Sequence, residues 1–352
     1  MKDLLIYMLI CVFGLAILTG CSQKIRQQAI EGSIPAYGQV TAFLNNGGLS
    51  DVYDVRNDGL YKIGSGIEKI DEMAGSKSGS IAQVIYLKRG ENMDNNRIAV
   101  YRNDKKMVLD YFFSASDLLM NPSGTRLAYR AYINDSYGSA QGLQIFGIES
   151  REVDRVKKQA MISGNVYAWQ DDDNIIYYGV TSEDESYGKL YRYNAAQKKE
   201  EVYFDGLKGY CMYLIPAGDG LIYMESYGEK AALYYLDKNN NKTLITSEIY
   251  ELYDADYNIV TKELVLAGIR EGESMAAVYR IPMDTFILNR VNYDFPKVVD
   301  SKTTLVTDSE GVLYFTGKTS GQKGAGLDVF KYDYRNGSVS ILSDRSGDYK
   351  IY

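Results

Sequence analysis

Residues 121–149 read NPSGTRLAYRAYINDSYGSAQGLQIFGIE. The opening Asn121-Pro122-Ser123-Gly124 is a turn, because Pro presets φ, Asn bonds its own backbone and Gly supplies positive φ. It feeds a strand-like run over 126–132, and a loose polar loop then leads to a second run over 142–148. Both runs are short and rich in aromatic and branched residues, which predicts strands rather than helices. The same order of turn, strand, loop and strand recurs along the chain.

Its clearest marker is a four-residue run of apolar, aromatic, any, apolar. It occurs as Ile145-Phe146-Gly147-Ile148, Leu190-Tyr191-Arg192-Tyr193, Leu233-Tyr234-Tyr235-Leu236, Val278-Tyr279-Arg280-Ile281 and Val329-Phe330-Lys331-Tyr332. Upstream lie Leu60-Tyr61-Lys62-Ile63 and a weaker Val100-Tyr101-Arg102-Asn103, so the run returns about every 45 residues. Ahead of most of these runs, a Gly- or Asp-containing turn leads into a strand, as in Gly218-Asp219-Gly220 before Leu221-Ile222-Tyr223. A period of about 45 holding several strands predicts a β-propeller, in which each blade is one four-stranded antiparallel sheet.

The stretch Asn121-Pro122-Ser123-Gly124-Thr125-Arg126-Leu127-Ala128-Tyr129 resembles the Ser-Pro-Asp-Gly turn and following strand of TolB-type, WD-repeat-like propellers. The Leu-Tyr-x-Tyr runs resemble that repeat's third strand, and the likeness spans residues 36–352. It implies six to eight blades and a binding or scaffold role, with no particular catalytic residues. We therefore expect an all-β chain, one propeller of seven four-stranded blades over 34–352. The first blade is expected to borrow a strand from 348–352, since pairing the two chain ends removes the last open edge. The inner strand of blade two is not evident in 75–79, which is small and polar.

Composition narrows the function. Histidine is absent, which excludes Ser-His-Asp and Cys-His nucleophilic machinery and His-containing metal sites. A net charge of −7 argues against nucleic acid as a partner. Tyr is abundant at 33 residues while Trp169 is the only tryptophan, a balance suited to strands whose rings are buried and whose hydroxyls find partners.

Residues 1–20 combine Lys2 with an apolar run over 4–18, too short to span a bilayer comfortably. Leu18-Thr19-Gly20-Cys21 resembles a bacterial lipobox, which implies cleavage before Cys21 and acylation of its thiol. The expected product is an extracytoplasmic lipoprotein, anchored in the cell membrane or outer membrane, with a polar tether over 21–33. Cys11 leaves with the signal peptide and Cys211 remains alone, so no intrachain disulfide forms. Cys211 reads as a buried structural thiol.

Three candidate inner strands carry aromatics toward a channel mouth. On this reading Tyr167, Trp169, Tyr210, Tyr213, Tyr253 and Tyr257 form an aromatic binding surface, with Asp254 and Asp256 as polar contacts. The competing expectation is packing between blades. Asp171-Asp172-Asp173-Asn174 lacks the spacing of a calcium loop and reads as a solvated turn. Residues 317–326, GKTSGQKGAG, lack the Walker spacing, because Val312 stands where its first Gly belongs. No metal or cofactor is called for. The expected function is non-enzymatic recognition of a protein, peptide or envelope glycan, or scaffolding. A polysaccharide hydrolase or lyase working through carboxylates and Tyr is the competing class.

Overall fold

The computed structural model describes residues 26–28, 37–76, 78–103, 105–156, 160–182, 187–321 and 324–352. The residues described form seven antiparallel sheets, taken up in succession as the blades of one propeller. The pattern is plainest in blade three. Its strands run from the innermost outward as Ser114–Met120, Arg126–Tyr132, Ala140–Gly147 and Val153–Arg155. Blades four, five and six repeat it, opening with inner strands Met161–Trp169, Tyr210–Ala217 and Ile249–Asn258.

A sheet packed on both sides must be apolar on both sides, so its central strands read as continuous apolar runs rather than alternations. Leu127, Tyr129 and Ala131 face the seam with blade two, while Ala128 between them faces the seam with blade four. The same period of two sends Ile175 and Tyr177 one way and Ile176 and Tyr178 the other. Each of the seven seams holds one cluster of buried side chains, and together they form a ring of cores around the central axis.

Ring closure follows the expectation. Asp348–Ile351 is the inner strand of blade one and pairs antiparallel with Thr41–Asn46. Thr41 and Tyr352 exchange two backbone hydrogen bonds of 2.8 and 2.9 Å, and Tyr349 and Ile351 are buried in the seam with blade seven.

Three details differ from the sequence reading. The inner strand of blade two is Ile70–Gly75, separated from the long outer strand Gly59–Glu68 of blade one by Lys69 alone. A one-residue connection leaves no turn signal to read. The inner strand of blade seven is interrupted: Val298–Val299 and Val306–Thr307 both pair with Leu313–Lys318, and residues 300–305 loop out between them. Within the segment expected to be a tether, Arg26–Gln28 is a strand that pairs with Lys105–Leu109 as a fifth strand of blade two. Edge pairing uses backbone groups and needs no side-chain pattern. The signal peptide and Cys21 lie outside the described residues.

Candidate functional site

Antiparallel order fixes two rims. Inner strands begin at an upper rim, which also carries the loops joining each blade's second and third strands. They end at a lower rim, in the turns that lead to the second strands.

Most of the aromatics predicted for the channel serve the seams. Tyr167 and Trp169 are buried between blades three and four. The Tyr167 hydroxyl donates to the Asp117 carbonyl, and the Trp169 indole donates to the Leu119 carbonyl at 3.0 Å. Tyr213 donates to the Asp254 carboxylate across the seam between blades five and six, and its oxygen accepts the Ala255 N–H at 3.1 Å. Tyr257 is partly buried against that seam, and Tyr253 against the next. The other Asp254 oxygen accepts the Leu305 N–H at 2.7 Å, and Asp256 accepts the Thr307 N–H at 3.1 Å. These two carboxylates therefore hold the interrupted inner strand of blade seven. Burial raises both, Asp254 to about 6.

Sequence reading missed a similar clamp at Glu72. Its carboxylate on blade two accepts the N–H groups of Asp117 and Leu118 on blade three. Asp117 sits at φ +59°, a bulge position that Asp tolerates, and its side chain pairs with Arg130 at 2.6 Å. Burial, and secondarily the Asp117 charge, pushes Glu72 up to about 7.

The lower rim is stitched from blade to blade. Ser78 donates to the Ser123 carbonyl at 2.7 Å, linking blades two and three. The blade-three turn is bound to Asp171-Asp172-Asp173-Asn174 of blade four. There Asp172 accepts the Ser123 N–H at 2.7 Å and Asp173 pairs with Arg126 at 2.7 Å. The acidic turn is thus engaged in hydrogen bonds. Asn258 reaches the Gly311 carbonyl at 2.9 Å, and Gln39 accepts the Ser309 N–H at 3.2 Å, tying blades six, seven and one.

The upper rim differs around its circumference. Over blades two and three, the Asp135 carboxylate accepts three successive N–H groups, from Glu91, Asn92 and Met93, and so pins one loop to the next. Exposed aromatic and thioether side chains stand over blades four to six, as Ile133 and Tyr137 do over blade three. Tyr187 packs edge-on against Tyr210 at 5.3 Å and against Tyr227 at 6.0 Å. Tyr210 is 58% exposed and Tyr227 63%, and Met161, Met212 and Tyr250 nearby along the rim are also exposed.

Two glycines position this cluster. Gly228, at φ +61°, completes the tight turn that carries Tyr227. A Cβ on Gly209 would lie 2.1 Å from the Ser226 carbonyl oxygen, so only glycine lets the strand enter beside that backbone with Tyr210 next in line. Of the aromatics singled out in sequence, Tyr210 alone joins this cluster. Tyr187, Tyr227 and Tyr250 sit in or beside loops, where no periodicity marks them.

No group of three His, Cys, Asp or Glu side chains among the described residues is placed to hold a metal. Cys211 is buried, with its thiol pushed up by desolvation. No helix among the described residues is long and apolar enough to cross a membrane.

No family model and no curated protein matches the chain. Solved structures do match in fold. TolB from Acinetobacter baumannii is similar at TM-score 0.52 and 11% identity over 89% of this chain and 82% of that one. The β-propeller domain of the Trilobed protease from Pyrococcus furiosus, described as having an open velcro topology, is similar at TM-score 0.53 and 11% identity over 77% and 82%. Oligogalacturonate lyase from Vibrio parahaemolyticus is similar at TM-score 0.52 and 9% identity over 91% and 85%. The chain thus shares its β-propeller fold with a TolB, a protease domain and a lyase.

Proposed function

We propose that this chain is a non-enzymatic binding propeller, held outside the cytoplasm on a bacterial envelope membrane by an acylated Cys21. Its partner, a protein, peptide or envelope glycan, lies across the upper rim of blades four to six. The Tyr187, Tyr210 and Tyr227 cluster carries this reading. Exposed aromatic rings held by a rigid scaffold supply binding area at little entropic cost, and these stand at the rim ends of blades four and five. The lack of histidine and the use of Glu72, Asp254 and Asp256 as acceptors for neighbouring backbone argue against proton-transfer chemistry at the inner strands.

Crosslinking from native envelopes tests the rim. The Tyr210→Ala/Tyr227→Ala variant should lose the species captured by the wild type while its unfolding free energy stays within about 0.5 kcal/mol. Undiminished capture would sink the assignment. Cys21→Ser should move the chain from the membrane to the soluble fraction, and persistence in the membrane would refute the lipid anchor. Fold likeness to oligogalacturonate lyase supports the competing class, and cleavage of polygalacturonate by the purified chain would favour it.

A further inference from the structure

The charge around the tyrosine cluster narrows what it takes. Among the rim segments of blades five and six, Glu248 is paired with Arg270, and Glu273 with Arg290 at 3.0 Å. Glu229, Glu251 and Glu271 are exposed, and none of the ion pairs found among the described residues uses them. Glu229 lies two residues beyond Tyr227 in the same turn, and Glu251 follows Tyr250 at the mouth of the blade-six strand. The Glu271 N–H bonds the Glu248 carbonyl at 2.7 Å, which places Glu271 beside the start of that strand. Cations on these segments without a partner of their own are Lys208 and Lys230 alone, so the surface carries excess negative charge as the whole chain does.

Resting on the binding role proposed above, we infer that the occupant is a polypeptide segment bearing Lys or Arg side chains. Its cations meet Glu229, Glu251 and Glu271, and its alkyl and guanidinium groups lie on the faces of Tyr210, Tyr227 and Tyr250. Tyrosine faces attract cations and apolar stems together, and carboxylates outside any ion pair on the same rim segments add Coulomb attraction that salt screens. A neutral glycan would use the rings but gain nothing from these carboxylates, and an acidic glycan would be repelled by them.

The full-length chain, immobilised in detergent, can be panned against a random 12-residue peptide library, and a selected peptide measured by fluorescence anisotropy. Enriched peptides should carry Lys or Arg. The affinity of the selected peptide should fall about tenfold or more in Glu229→Gln/Glu251→Gln/Glu271→Gln, and comparably when salt rises from about 0.05 to about 0.5 M. It should be lost in Tyr210→Ala/Tyr227→Ala. Enrichment of neutral or acidic peptides, or affinity indifferent to both the glutamine variant and salt, would overturn the cationic assignment. Retention of envelope glycan fragments in place of peptides, with loss in the alanine variant, would overturn the polypeptide class and keep the rim as the binding site. Binding unaffected by the alanine variant would overturn the site itself.

Discussion

Tyr167 and Tyr210 both occupy inner strands, but their surroundings assign them opposite consequences. Tyr167 fills the seam between blades three and four and has its hydroxyl matched, so Tyr167→Ala should cost about 3–5 kcal/mol in denaturant unfolding. Tyr210→Ala removes an exposed ring and should cost less than about 0.5 kcal/mol. Equal losses would show that Tyr210 is a packing residue too. Glu72 makes a separate prediction with a definite sign. Burial raises it from 4.5 to about 7 in the folded chain, and Asp254 from 3.8 to about 6. The folded state therefore holds protons that the unfolded chain has released. Their contribution to stability is complete below pH about 4 and disappears as pH rises through about 6 to 7. Asp117, Lys350 and Tyr352 face Glu72 from the neighbouring inner strands, and the Glu72→Gln variant keeps all three while removing the titration. Melting temperatures between pH 4.5 and 7.5 should fall more steeply for the wild type than for Glu72→Gln. Parallel curves would refute the assignment.

At the scale of the strand, what the sequence disclosed depended on whether a segment carried its own local signal. Blades three, four, five and seven announce themselves through Gly- or Asp-containing turns and an aromatic third strand, and blade six, whose turn Thr261-Lys262-Glu263 has no Gly, through that strand alone. The inner strand Ile70–Gly75 went unread because Lys69 is too short a connection to contain a turn. Arg26–Gln28 went unread because edge pairing is a backbone affair. The broken inner strand of blade seven was hidden for a related reason: its second half is held from outside, by Asp254 and Asp256 of blade six. In sequence those two carboxylates looked like ligand contacts, and only topology shows that Leu305 and Thr307 lie opposite them. The rim tyrosines present the inverse case, since Tyr187, Tyr210 and Tyr227 are apart in sequence and become neighbours only when blades are arranged around an axis. Asp256→Ala should speed amide exchange in a peptide covering 298–312 and leave peptides from blade three unchanged. Unaltered exchange at Thr307 would show that pairing with Leu313–Lys318 is sufficient by itself.

For the molecule as a whole, the question is whether seven seams behave as one cooperative unit or as a chain of neighbours. Each seam has its own core, which favours nearest-neighbour stability of the kind seen in repeat architectures. The strand Asp348–Ile351 joins the first blade to the last, burying Tyr349 and Ile351. Those two side chains alone contribute roughly 3–6 kcal/mol by burial, a large share of the about 5–15 kcal/mol by which a domain is stable. If cooperativity were global, deleting residues 348–352 would unfold everything. None of the terminal strand's residues enters the clusters between blades three and four or between blades four and five, so those seams keep all their side chains when it is removed. Deletion of 348–352 should accordingly lower the melting temperature and abolish slow amide exchange in blades one and seven first. Blades three to five, whose seams lie farthest from the break, should keep theirs. Protection lost uniformly across all seven blades would instead mean that the terminal strand is the keystone of a single cooperative ring, and the seam-by-seam account of stability would fail with it.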